Sequence, residues 1–208
     1  MATVKAPLIE YGVAAVMLAG QPTSGDRHIV KPFAGGVLVA VVDGLGHGVD
    51  AGAAADLAVR TLESHAGQPV TSLVSLCHDV LRRSRGAVMS VASFSARYRT
   101  MTWLGVGNVE GVLLRRGAVA DHCQESLLLR AGVLGKRLPP LTAAVVPVSE
   151  GDILILASDG INSAFACNVI VTDRAQNIAD RILAGHGKGT DDALVLVSRF
   201  LGDGAPQP

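Results

Sequence analysis

The sequence predicts an α+β layered fold, and three observations predict it. Short apolar runs open the chain, two amphipathic helical stretches follow with no strand between them, and strand-like runs then resume at close spacing. Few βαβ alternations occur, which argues against a doubly wound parallel sheet. The core material is aliphatic: 49% of the 208 residues are hydrophobic and only 3% aromatic, with 24 glycines beside the apolar runs.

Taken in order, Tyr11–Leu18 and Gly35–Val42 read as strands, apolar and ended by turn residues, with Ser24-Gly25-Asp26 in the polar connection between them. Val49–Ser64 reads as an alanine-rich helix on which Ala55, Leu57, Ala58, Val59 and Leu62 form a broad apolar face. Thr71–Arg83 reads as a second helix, capped by Thr71, with Leu73, Leu76, Cys77, Val80 and Leu81 at helical spacing. Ala87–Ser95, Tyr98–Leu104 and Val109–Arg115 read as consecutive antiparallel strands. Ala143–Val148 and Asp152–Ala157 repeat that theme around a Ser149-Glu150-Gly151 turn. Arg174–Leu183 reads as a helix and Ala193–Phe200 as the last strand. With no internal repeat, charge block or low-complexity linker, residues 1–201 read as one domain without a regulatory extension, and 202–208 as a flexible Gly/Pro-rich tail.

Composition excludes several functions. Lys+Arg and Asp+Glu both number 18, so no broad basic surface for nucleic acid is expected, and scarce aromatics leave few base-stacking platforms. No apolar run approaches the ~20 residues that cross a bilayer, and Glu10 and Tyr11 interrupt any leader-like stretch. Three scattered cysteines (Cys77, Cys123, Cys167) form no CxxC pair and suit a reducing, cytoplasmic setting.

Acidic residues sit beside small ones at the ends of apolar strands. Val41-Val42-Asp43-Gly44-Leu45-Gly46-His47-Gly48, Leu156-Ala157-Ser158-Asp159-Gly160 and Gly189-Thr190-Asp191-Asp192 share this design, and Ser24-Gly25-Asp26 is a shorter version. A strand in a packed sheet is a rigid mount for a carboxylate, and a following Gly lets the chain turn and expose a carbonyl. Several such tips at one end of a β core make an all-oxygen site suited to Mg²⁺ or Mn²⁺. Asp-Gly is also a common turn dipeptide, so any one motif alone reads as a turn; four beside strands read as a site. The glycines of Gly44–Gly48 and Gly105–Gly111 miss the GxGxxG spacing, and neither segment carries the GK[ST] of a P-loop.

In this order the motifs, with Gly105-Val106-Gly107-Asn108, resemble those of the metal-dependent serine/threonine protein phosphatases of the PPM or type-2C class, and more closely its bacterial SpoIIE-type branch. Arg85-Gly86-Ala87 and Gly132-Val133-Leu134-Gly135-Lys136 narrow the likeness to the stand-alone phosphatases of the stressosome. The resemblance implies a four-layer αββα sandwich, two antiparallel sheets flanked by helices. It implies two divalent metal ions, Mn²⁺ before Mg²⁺, and hydroxide activated by them that attacks phosphorus with no phospho-enzyme. Asp43 would bridge the metals, Asp26 and the Gly44 carbonyl would serve one, Asp159 and Asp191 the other, and Asp192 would orient Asp191 or a bound water. Leu45 stands where eukaryotic members carry a His, so that role is not transferred to His47; Arg27, beside Asp26, could approach a phosphate. The implied substrates are phosphoserine and phosphothreonine on STAS-domain scaffold proteins of the stressosome (RsbS/RsbR-like), which would reset a general stress signal. The alternatives are a free anti-sigma-factor antagonist as substrate, a catalytically silent phosphoprotein-binding module, and a small-molecule phosphatase. Cys77 reads as core, since no CxxxxxR loop surrounds it.

Overall fold

The computed structural model describes residues 7–117, 124–167 and 169–202. Its elements run β1 (Ile9–Val16), β2 (Asp26–Phe33), β3 (Gly36–Gly44), α1 (Val49–Ser64), α2 (Val70–Leu81), β4 (Ala87–Ser95), β5 (Thr100–Val106), β6 (Glu110–Leu114), β7 (Gln124–Ser126), β8 (Leu129–Arg130), β9 (Ala144–Pro147), β10 (Ile153–Ala157), α3 (Ala175–His186) and β11 (Ala193–Phe200). One sheet has the order β1-β11-β10-β6-β7; the other has β2-β3-β4-β5-β8, with β9 also paired to β5.

Strand alternation builds three apolar layers. Along β3, Leu38, Ala40 and Val42 face α1 and α2, where Ala55, Ala58, Leu62, Leu73, Cys77 and Leu81 meet them. Val37, Val39 and Val41 point the other way, against Leu154, Leu156, Leu194 and Leu196 of the second sheet. The opposite face of that sheet, through Ile153, Ile155, Val195 and Val197, packs on Ala175, Ile178, Ala179 and Ile182 of α3. Helices, sheet, sheet and helix therefore stack as the expected αββα sandwich. No helix among the described residues is long and apolar enough to cross a membrane.

The helix α1 and the strands β4 and β11 have the bounds the sequence predicts. Other details differ. The segment read as a polar connection contains β2, which among the described residues is an edge strand paired to β3 alone. Its half-buried DRHIVKPF pattern, ending in Pro32-Phe33, hides the strand because an edge strand buries only one face. β5 and β6 are not neighbours: the chain leaves one sheet at Gly107 (φ 99°), where a Cβ would stand 2.2 Å from Val88, and enters the other. β9 and β10 likewise belong to different sheets. The β5–β8 pairing is parallel, so the second sheet is mixed rather than purely antiparallel. Pro69, not Thr71, precedes α2, with no side-chain cap, and Val80 faces solvent while Val74 and His78 are buried. Cys123 and positions 203–208 of the expected tail lie outside the described residues.

Candidate active site

Asp26 opens β2 and stands directly opposite Asp43 near the end of β3. From the other sheet, β10 runs into Ser158-Asp159 while Asp191-Asp192 leads into antiparallel β11. The ladder extends one step further, through Ser158 N to Leu194 O at 3.0 Å and Leu194 N to Ser158 Oγ at 2.9 Å. Stacking the sheets brings both pairs of tips to one edge. There the Ser158 hydroxyl donates to Asp26 Oδ2 at 2.6 Å, joining the sheets through a buried hydrogen bond. Two glycines permit the closeness: a Cβ on Gly44 would sit 2.0 Å from the Ala51 carbonyl oxygen, and one on Gly160 2.0 Å from that of Asp192.

Asp26, Asp43, Asp159, Asp191 and Asp192 line one cleft of about 520 Å³, with Asn108, His47 and Gly132-Val133 on its walls. Burial and the neighbouring carboxylates Asp192, Asp159 and Asp191 push Asp26 up to about 7 against the lowering effect of the Ser158 hydrogen bond. Burial and the charges of Asp26, Asp159, Asp191 and Asp192 push Asp43 up to about 8. No Lys or Arg among the described residues forms an ion pair with either. Carboxylates held this way favour a multivalent cation, and the donor set is all oxygen. Among the described residues no three His, Cys, Asp or Glu side chains close into a cage. An open cleft of this kind suits Mg²⁺ or Mn²⁺, which keep several waters.

The sequence-predicted residues divide by what holds them. Asp159 Oδ2 accepts from Asn108 Nδ2 at 2.8 Å, and its carbonyl accepts from Lys188 Nζ at 2.5 Å. Asp191 Oδ1 accepts from the Asp192 amide at 2.8 Å. The Asp192 carboxylate is spent on the amides of Leu18 (2.7 Å) and Gly25 (2.6 Å), so it clamps the loop that delivers Asp26. Gly44 is buried, and its amide donates to Gly25 O at 3.1 Å. Arg27 does not reach the cleft: its guanidinium binds Asp56 (2.6 Å) and the carbonyls of Ser24 and Asp26 (both 2.8 Å). Sequence reasoning missed Ser158, Asn108 and Lys188 as supports. Ser158 and Asn108 lie inside motifs it quoted, but their partners come from distant strands, and spacing alone does not show them.

A family model for stage II sporulation protein E (SpoIIE) matches residues 34–201 of this chain. The phosphoserine phosphatase RsbX of Bacillus subtilis (strain 168) is 30% identical over 143 residues, 69% of this chain and 70% of RsbX. Among solved structures, one from work on the bacterial stressosome as a modular system adapted to control secondary messenger signalling is 30% identical, with TM-score 0.82, covering 92% of this chain and 99% of that one. RsbX in complex with magnesium superimposes with TM-score 0.80 over 92% of this chain and 95% of that one; at 21% identity that likeness is one of fold.

Proposed function

The chain belongs to the SpoIIE family, which makes it a PP2C-type protein-serine/threonine phosphatase, and from that premise we propose that it removes phosphate from phosphoserine or phosphothreonine on STAS-domain stressosome proteins. The observation that carries the phosphatase site is the pairing of Asp26 with Asp43 at two strand tips, unmatched by an ion pair among the described residues and facing Asp159 and Asp191 from the other sheet. The likeness to RsbX and to the stressosome-derived structure supports the substrate class.

In this reading Asp43 would help to hold two divalent cations, Mn²⁺ before Mg²⁺. Asp26 and the Gly44 carbonyl would serve one, and Asp159 and Asp191 would serve the other. Such ions, when bound, lower the pKa of water and offset charge on the transferring phosphoryl group. The chain's own residues supply preorganisation. Ser158 fixes the Asp26 carboxylate, Asn108 fixes that of Asp159, and Asp192 locks the 24–26 loop to the start of β11. No Ser, Thr or Cys among the described residues lines the cleft, and in this reading water takes the phosphoryl group. The Cys77 thiol, pushed up to about 12 by burial, lies in the helix–sheet core instead.

The test is phosphate release from a phosphorylated STAS-domain stressosome protein in Mn²⁺, Mg²⁺ and EDTA, with an aryl phosphate alongside. Release from the protein that needs metal is expected. Turnover of the aryl phosphate alone would refute the substrate, and a folded, wholly inert protein would refute the active site.

A further inference from the structure

A second groove joins the cleft. It measures about 410 Å³, and Leu128, Arg130, Ala131, Arg137, Leu138 and Pro139 form most of it. Ala131 belongs to both depressions, so the two share a wall. Main-chain bonds tie both arginines to residues that line the cleft. The Arg130 carbonyl accepts from Gly107 N at 2.9 Å, and Arg130 pairs in register with Val106 of β5. Arg137 and Val133 exchange two amide–carbonyl bonds of 2.9 Å each. Gly132, just before Val133, packs against the far arm of this turn: a Cβ there would lie 2.6 Å from Pro139 Cδ and 2.9 Å from the Arg137 carbonyl. The groove is therefore anchored to the cleft.

Its charge is opposite to that of the cleft. Among the described residues no Asp or Glu lines it, and neither Arg130 nor Arg137 is paired with a carboxylate. Leu128 stands 73% exposed beside them. A cationic surface beside the cleft attracts chain segments of negative charge and so selects what enters. Guanidinium groups recognise carboxylates by paired hydrogen bonds.

We infer that this groove docks the segment of the protein substrate next to its phosphorylated residue, and that the segment carries acidic side chains read by Arg130 and Arg137 with an apolar residue against Leu128. The inference rests on the phosphatase reading of the cleft and adds substrate selection to it. A free aryl phosphate has no such segment and gains nothing from the groove.

The experiment uses the full chain and three phosphoserine peptides that differ only in two flanking residues: Glu, Gln or Lys. The wild type is expected to favour the Glu peptide over the Gln peptide by about ten-fold in kcat/KM, the scale of two partly exposed ion pairs. In the double variant Arg130→Glu/Arg137→Glu the order inverts, and the Lys peptide becomes the best. Because each ratio is internal to one protein, a general loss of activity does not alter it. The same preference in both proteins, or none in the wild type, overturns the groove. Fluorescence anisotropy with the labelled Glu peptide separates the two readings. If every peptide and the aryl phosphate are inert, the phosphatase reading falls, and the groove is then judged on binding alone. Weaker binding by the double variant supports it, and equal binding overturns it.

Discussion

Strand β10 has an acid just beyond each end, and the two ends treat it differently. Asp152, at the start, is 2% exposed and fully partnered: Arg115 reaches it at 2.9 Å, and the amides of Arg116 and Ser149 donate to it at 2.9 Å each. At the other end Asp159 opens onto a cleft shared with Asp26, Asp43 and Asp191, and the charges that act on Asp26 and Asp43 there are negative. A carboxylate that belongs to the architecture comes with its cation inside the fold. A carboxylate cluster that the chain leaves without one is built for something that arrives. The fold tolerates the second arrangement because the first, with the apolar layers between the sheets, is complete.

Crossed substitutions test this contrast. The largest effect is expected from Asp43→Asn, which removes the proposed bridging charge. Turnover should fall about 10³-fold, comparable to loss of a principal electrostatic contact in other active sites. The metal-free protein should melt no lower than wild type, since a source of repulsion is gone. Near-normal turnover with added Mn²⁺ would remove Asp43 from the site. Asp152→Ala should show the opposite profile. It strands the half-buried Arg115 and two amides, so unfolding should become easier by about 2–3 kcal/mol in urea titration. Glu125, 2.6 Å from Arg115, limits that loss. Turnover per folded molecule should stay close to wild type, and a selective loss of turnover would break the division between the two ends.

The contrast also sets a pH dependence. Asp26 and Asp43 sit at about 7 and about 8 in the folded protein, above the ordinary carboxylate value of 3.8. The folded state thus holds protons that the unfolded chain has already released. Stability is full below the unfolded value and is lost as pH rises through about 8. In EDTA the melting temperature should therefore drop by several degrees between pH 5 and pH 8.5. Mn²⁺ should restore it at the upper end, by about 2.7 kcal/mol at a hundred-fold excess over its dissociation constant. A flat profile in EDTA would mean that burial and the neighbouring carboxylates do not raise the two groups. Asp43→Asn should make the profile shallower, removing the part lost near pH 8 and leaving the part that Asp26 contributes.

How much of this was legible in the sequence follows from the range of the interactions involved. Asp43-Gly44, Ser158-Asp159-Gly160 and Asp191-Asp192 announce strand tips because each acid touches its own apolar run. The helix α1 is legible because sixteen residues repeat one spacing. β2 was not, since an edge strand with polar residues at its start has no continuous apolar signature. Nor were the partners that hold the site. The Ser158–Asp26 bond spans 132 positions, and the Asp192–Gly25 bond spans 167. Local pattern carries no information at that separation. Sheet assignment failed for the same reason: the run from β5 to β6 looks like a hairpin until Gly107 sends the chain into the other sheet.

The smallest expected effect separates two causes of a displaced pKa. Cys77 is also pushed far from its ordinary value, up to about 12, yet burial is the only cause, and no charged group contributes. Its thiol lies 3.7 Å from the Ala58 carbonyl, between α1 and α2, so it stays a neutral thiol that fills space. For Asp26 and Asp43 burial is joined by like charges from both sheets. Desolvation alone marks a core, whereas desolvation with converging charge of one sign marks a site. Cys77→Ala should accordingly cost about 1 kcal/mol through a small void between the helices, read as a fall of a few degrees in melting temperature. The kcat for a phosphoprotein and the pH profile in EDTA should both match wild type. A collapse of turnover at unchanged melting temperature would show that burial alone had concealed a reactive group.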